Sequence, residues 1–136
     1  MKETILRLID VSMNEYLRYR NSLEKPSLQR LMDTIIDQER EHKSEIEELE
    51  EYFFEGITRE SMEEGIRSLS KPLDLKDDIA GLKDIMRREE AMADLFENLA
   101  GNITETEGRV FFTQYSLDER KHAGLVQSRL ELESLT

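Results

Sequence analysis

The sequence predicts an all-α protein, an antiparallel four-helix bundle made of two helical hairpins joined by a longer connector that contains a short helix. Three observations carry that expectation. The 136 residues include 6 Gly, 2 Pro and neither Cys nor Trp, and Leu, Glu, Arg, Lys and Met dominate the rest, a helix-forming mixture poor in turn signals. Four segments repeat apolar residues at alternating spacings of three and four, the pattern of a helix with one buried face. The few breakers fall between those segments, and the longest breaker-rich stretch separates the second from the third. The length suits one domain with a real core and is too short for two of ordinary size. Residues 1–136 therefore read as a single domain, with one hairpin over about 1–55, the connector over about 56–75 and the second hairpin over about 76–132.

The first helix is expected from about residue 3 to 24, with Ile5, Ile9, Ser12 and Tyr16 on its inner face. It stops at Lys25-Pro26-Ser27, because proline disfavours helix at the residue before it, and Ser27 is placed to cap the helix that follows. The second helix carries Leu28, Met32, Ile35, Glu39, His42, Ile46, Leu49 and Phe53 on one stripe and ends near Gly56-Ile57-Thr58. Thr58 with Ser61 can open a short helix over about Met62 to Leu69, before a break at Ser70-Lys71-Pro72. The third helix is expected over about Lys76 to Ala100, with Leu82, Ile85, Glu89, Met92, Phe96 and Leu99 aligned. Gly101-Asn102 and the polar run Thr104 to Gly108 make the last turn, and the fourth helix aligns Val110, Phe111, Tyr115, Glu119, His122, Val126 and Leu130.

Charged residues interrupt these apolar stripes in a pattern. The two histidines each follow a glutamate by three residues, in Glu39-Arg40-Glu41-His42 and Glu119-Arg120-Lys121-His122. Residues at i and i+3 share a helix face, so each motif aims one carboxylate and one imidazole at a common point. Glutamate is abundant, but both histidines would be preceded this way by chance only about three times in a hundred. Glu89 joins them, because at about 100° per residue it points along the apolar direction of the third helix while Glu90 is turned toward the edge. Glu39, His42, Glu89, Glu119 and His122 are the candidate metal ligands. Two Glu-x-x-His helices and two further glutamates form the donor set of di-metal carboxylate bundles. The other glutamates of the acidic run from Glu39 to Glu51, and Arg40, Lys43, Arg120 and Lys121, fall off the stripe and read as a solvated surface. Tyr16, Tyr19, Phe96, Phe112 and Tyr115, with Met13, Met32, Met86 and Met92, read as core packing; Tyr16 or Tyr115 beside the metal is the minority reading.

The formal net charge of -12 argues against nucleic acid or an anionic membrane as partner, since both require a basic surface. Without cysteine there is no disulfide, no thiolate nucleophile and no thiolate-ligated metal. No run is apolar and long enough to span a bilayer, and Met1-Lys2-Glu3-Thr4 does not open a secretory leader, so a cytoplasmic protein is expected.

Shifting the chain by about eighty residues lays Glu39 and His42 over Glu119 and His122, and Tyr16 over Phe96, which makes the two hairpins an internal repeat. On Glu39-x-x-His42, Glu89 with Phe96 and Leu99-Ala100 after it, and Glu119-x-x-His122, the chain resembles a rubrerythrin-type member of the ferritin-like superfamily over most of both hairpins. The resemblance implies a four-helix bundle with a carboxylate-bridged di-iron site that reacts with hydrogen peroxide or oxygen. Rubrerythrins proper add a cysteine-ligated rubredoxin module, which this sequence lacks, so electrons are expected from an external donor or from iron itself. The chain departs from the pattern at Ile9, which matches Glu89 under the shift; Asp10 matches the off-face Glu90. The first helix therefore offers no ligand, and a di-iron, a partly occupied or a single-metal site is compatible with the remaining five.

Imidazole and carboxylate suit iron, while manganese or zinc would accept the same donors. Two functions from different classes follow: a metal-dependent peroxidase or ferroxidase, and a degenerate bundle serving as an interaction or structural protein. A homodimer that exchanges hairpins is compatible with either.

Overall fold

A computed structural model describes residues 1–135, and it is all helical. Helices α1 (Lys2–Ser22) and α2 (Pro26–Glu48) form the first hairpin, α3 (Arg59–Leu69) lies in the connector, and α4 (Asp78–Asn102) and α5 (Thr106–Ser134) form the second. Their ends follow local chemistry. Pro26 begins α2 at its first turn, where its missing N–H costs nothing, and Lys25 rather than Ser27 is the cap position. The Ser27 hydroxyl instead accepts from Arg129 of α5 at 2.7 Å. Thr58 and Ser61 form the expected reciprocal capping box on α3, each backbone N–H reaching the other's hydroxyl at 3.2 Å. Asp77 caps α4 by accepting from Ala80 N–H at 2.8 Å.

Two boundaries depart from expectation. Helix α2 stops at Glu48 and is followed by a single 3-10 turn over Glu51–Phe54, so Leu49 and Phe53 reach the core from beyond the helix. Lys2 donates to the carbonyls of Glu47 at 2.8 Å and Leu49 at 2.9 Å, satisfying groups that the end of α2 leaves free. Helix α5 starts earlier than its apolar stripe, because Glu105 accepts from Gly108 N–H at 2.6 Å and turns the polar run Thr106 to Gly108 into the first helical turn.

The core falls into two apolar halves. One holds Ile5, Ile9, Ile46, Met92, Phe96, Phe112 and Tyr115; the other holds Tyr16, Met32, Ile35, Leu82, Ile85 and Val126. Following each long helix from one half to the other fixes its direction: α1 is antiparallel to α2 and α4 to α5, while α2 and α4 run the same way. The connector with α3 therefore has to carry the chain back along the bundle, the single long crossover of ferritin-like topology. Between the halves each helix crosses a polar layer: Ser12 on α1, Glu39 and His42 on α2, Arg88 and Glu89 on α4, Glu119 and His122 on α5, all buried. No described helix is long and apolar enough to cross a membrane.

Arg88 ties this layer to the crossover. Its guanidinium donates to the Ser12 hydroxyl at 2.9 Å, to the Leu69 carbonyl at 3.0 Å and to the Lys71 carbonyl at 2.7 Å, joining α1, α4 and the end of α3. At the opposite end, Gly56 makes the turn after α2 with φ of 96°. A side chain there would be strained by the backbone and would place its Cβ 2.1 Å from the Asn102 carbonyl oxygen. Gly56→Ala is therefore expected to destabilise the fold by about 1–3 kcal/mol, read as a lower urea midpoint with little change in slope.

Candidate metal centre

Each long helix passes through the polar layer once, and three of the four bring a carboxylate to its middle. Glu39 is 1 % exposed, Glu89 1 %, Glu119 0 %, and His42 and His122 2 % each. Glu90, Arg40, Arg120 and Lys121 face solvent, as their positions off the stripes predict. The spacing of three brings Glu119 and His122 to the same face of α5, where His122 Nδ1 lies 3.7 Å from Glu119 Oε2, 3.4 Å from Glu89 Oε2 and 3.8 Å from Glu39 Oε1. One ligand atom from each of Glu39, Glu89, Glu119 and His122 falls within 4.8 Å of all the others. His42 stands beside this quartet, with Nδ1 3.2 Å from Glu119 Oε1.

The inner atoms are the informative ones. Both carboxylate oxygens of Glu39, Glu89 and Glu119, and Nδ1 of both histidines, are buried with no well-formed hydrogen bond, and their near polar neighbours are chiefly one another. Buried polar groups are ordinarily satisfied, and buried charges are paired or bind metal. A cation is the species that oxygen and imidazole lone pairs facing one another would accept, and it fits this donor set.

The outer nitrogens, in contrast, are engaged. His42 Nε2 lies 3.0 Å from Asp118 Oδ2, and His122 Nε2 contacts Gln38 Oε1. Gln38 and Asp118 each immediately precede the motif glutamate of their own helix and serve the histidine of the other. When Nε2 carries the proton donated to these oxygens, Nδ1 keeps its lone pair and presents it to the middle of the layer, the usual way an outer partner fixes a ligand histidine. The sequence reading missed both residues, although their occurrence at equivalent positions of the eighty-residue repeat was the signal for them. It also missed Arg88, which stands three residues after Ile85 and four before Met92, a spacing that marks the edge of the buried face.

Helix α1 contributes no carboxylate to the quartet. Ile9 is fully buried among apolar side chains. Asp10 points outward and pairs with Lys43 Nζ at 2.8 Å. Glu15 pairs with Arg18 at 2.6 Å and accepts the Leu73 N–H at 3.1 Å. What α1 brings is Tyr16, whose phenol helps to favour the charged form of Glu89.

Electrostatics divide the glutamates. Burial raises the Glu39 carboxyl well above the ordinary 4.5, and the charges of Glu119 and Glu89 raise it further. Burial and then Glu89 do the same to Glu119. Burial also opposes the charge of Glu89, but Glu119, His122 and Tyr16 outweigh it and hold that group below its usual value. Burial disfavours the His122 cation, yet Glu89 and Glu39 raise His122 above the ordinary 6.5.

A groove of about 440 Å³ lies between α2 and α5, lined among others by Gln38, His42, Glu45, Val110, Tyr115 and Asp118. It brings the surroundings to the outer edge of His42 and its partner Asp118. Tyr115 closes its inner wall, stacked at a tilt 4.4 Å from the His42 ring and donating to Glu45 at 2.7 Å.

The rubrerythrin family model matches residues 12–130. No curated protein and no solved structure matches the chain.

The pKa directions give the metal-free protein a defined pH response. Glu39 and Glu119, raised by folding, hold protons that the unfolded chain has lost, so their contribution to stability declines as pH rises above about 4.5. His122, also raised, loses its contribution as pH passes upward through its folded value. Glu89, lowered, acts in the opposite sense and loses its contribution only as pH falls through its folded value. With three groups against one, thermal stability without metal is expected to fall from mildly acidic to mildly alkaline pH. Addition of Zn(II) should reverse that slope and release protons, measurable in a weakly buffered titration.

Proposed function

The chain belongs to the rubrerythrin family, and on that premise we propose that it is a metal-binding redox protein that carries iron and reacts with hydrogen peroxide or oxygen. The observation that carries the proposal is the set of six unpartnered carboxylate oxygens and two unpartnered ring nitrogens in the middle of the bundle. Glu39, Glu89, Glu119 and His122 hold the ion, with His42 adjoining them. Ferrous iron bound there would supply one electron per ion, so reducing hydrogen peroxide to two waters would draw on two ferrous ions or on one ion reduced again by an external donor. Asp118 and Gln38 orient the histidines, Tyr16 supports the charge on Glu89, and the apolar halves above and below keep bulk water out of the layer. The groove beside His42 brings small oxidants to the edge of the layer. The 136 residues contain no cysteine, so the reductant that restores ferrous iron is assigned to a group outside these residues. Manganese and zinc satisfy the same donors, and the choice of iron rests on the family.

One observation favours a second reading, a bundle that has lost its metal and serves in structure or interaction: Ile9 stands where the internal repeat would put a glutamate. The three remaining buried glutamates weigh against it. A core freed from metal binding gains stability by exchanging buried carboxylates for apolar side chains, because an unpaired buried charge is costly.

Protein produced with iron supplementation should contain the metal by elemental analysis, and the ferrous form should consume hydrogen peroxide with oxidation of the iron. Glu119→Ala should lose both properties while remaining helical by circular dichroism. Absence of metal, together with a melting temperature indifferent to Fe(II), Mn(II) and Zn(II), would favour the second reading.

A further inference from the structure

We infer that this chain holds a single metal ion rather than a pair, with His42 serving as a positioning residue outside the coordination set. The inference rests on the metal-binding reading above and concerns how many ions these residues support.

Four donors converge and the fifth does not. Glu39, Glu89, Glu119 and His122 each present an atom within 4.8 Å of the other three, a complete set for one ion. His42 approaches Glu119 alone, on the side away from His122, and its other nitrogen is held by Asp118 at 3.0 Å. A second ion on that side would have His42 and shared oxygens of Glu39 and Glu119, but no carboxylate of its own. The residue to supply one lies on α1, where the polar layer is met by Ile9, Ser12 and Tyr16 in succession.

Charge points the same way. The α1 side of the layer is already taken by a cation: the Arg88 guanidinium, 2 % exposed, donates to Ser12, and all three of its hydrogen bonds end on neutral oxygens. Three ionised glutamates around one divalent ion leave one excess negative charge, opposite in sign to the guanidinium buried on the α1 side of the same layer. Around two divalent ions they leave an excess positive charge beside a buried arginine, with little solvent to screen it. Loss of the α1 carboxylate and burial of Arg88 thus favour one ion together. His42, held at Nε2 by Asp118, then sets its ring edge against Glu119 Oε1 at 3.2 Å and limits how that carboxylate can turn.

The test is stoichiometry on the whole chain. Isothermal titration with Zn(II), and elemental analysis after anaerobic loading with Fe(II), should each give one equivalent per chain. The Mn(II) form should show the electron paramagnetic resonance of an isolated ion, without exchange coupling. His122→Ala should remove binding, whereas His42→Ala should keep one equivalent and weaken it by about 10- to 100-fold, as loss of a partner outside the coordination set does. Two equivalents, or a coupled Mn(II) signal, would overturn the inference and leave the metal reading intact. No binding by the unsubstituted protein would defeat the metal reading and this inference with it. Equal loss in the two histidine variants would overturn the role given to His42. Ile9→Glu should raise the stoichiometry to two in protein that still melts cooperatively; a folded variant that still binds one ion would refute the role of residue 9.

Discussion

Three carboxylates and two imidazoles buried in one layer of a helical bundle are the constraint on which the rest of this structure depends. Each carboxylate gives up hydration that a protein interior does not replace, and an unpaired ion in such a setting costs several kcal/mol, of the order measured for broken buried pairs. The surrounding architecture limits that cost where it can. Long helices stack an apolar half on each side, Gln38 and Asp118 satisfy the outer nitrogens, and Tyr16 favours the charge on Glu89. The inner oxygens are left for a cation. Stability and function are therefore coupled: the atoms that most disturb the metal-free core are those that a metal would use.

The two hairpins are related but unequal. Both carry Glu-x-x-His on their second helix, and both place an oxygen-bearing residue directly before that glutamate to hold the opposite histidine. Because α2 and α5 face each other, each helix orients the other's ring. Their first helices differ. Helix α4 gives Glu89 to the layer, and its neighbour Arg88 reaches across to Ser12 of α1, whereas α1 gives Ile9, Ser12 and Tyr16. One hairpin thus supplies a buried carboxylate where the other supplies a hydroxyl, bonded to a buried guanidinium.

Outside the layer, the connector has a geometrical task. Because α2 and α4 run in the same direction, the chain must return along the bundle before the second hairpin begins. The capped helix α3 fills that return, and Arg88 fastens its end by two carbonyls. The same side chain therefore joins the crossover, α1 and the polar layer.

Much was legible in the sequence. Apolar spacing marked all four bundle helices and the short connector helix; Pro26 and the Thr58–Ser61 pair marked two of their starts. Helical phase selected Glu89 over Glu90 and set Glu39 apart from the acidic run around it, since direction around a helix axis is a local property fixed by about 100° per residue. It also showed that Ile9 and Asp10 leave α1 without an inward carboxylate. Tertiary structure decided what depends on distances between helices. Phase cannot tell that His122 meets three glutamates while His42 meets Glu119 and Asp118, because that depends on the register in which α2 and α5 pack. Nor can it name the partners that let Arg88 be buried, since the carbonyls that accept its hydrogen bonds come from the last residue of α3 and the turn after it, and no local pattern records a partner from another element. Local periodicity determined which helix faces are apolar; packing decided which side chains it covers, leaving Val110 65 % exposed and Arg88 buried, and which of the covered ones face each other.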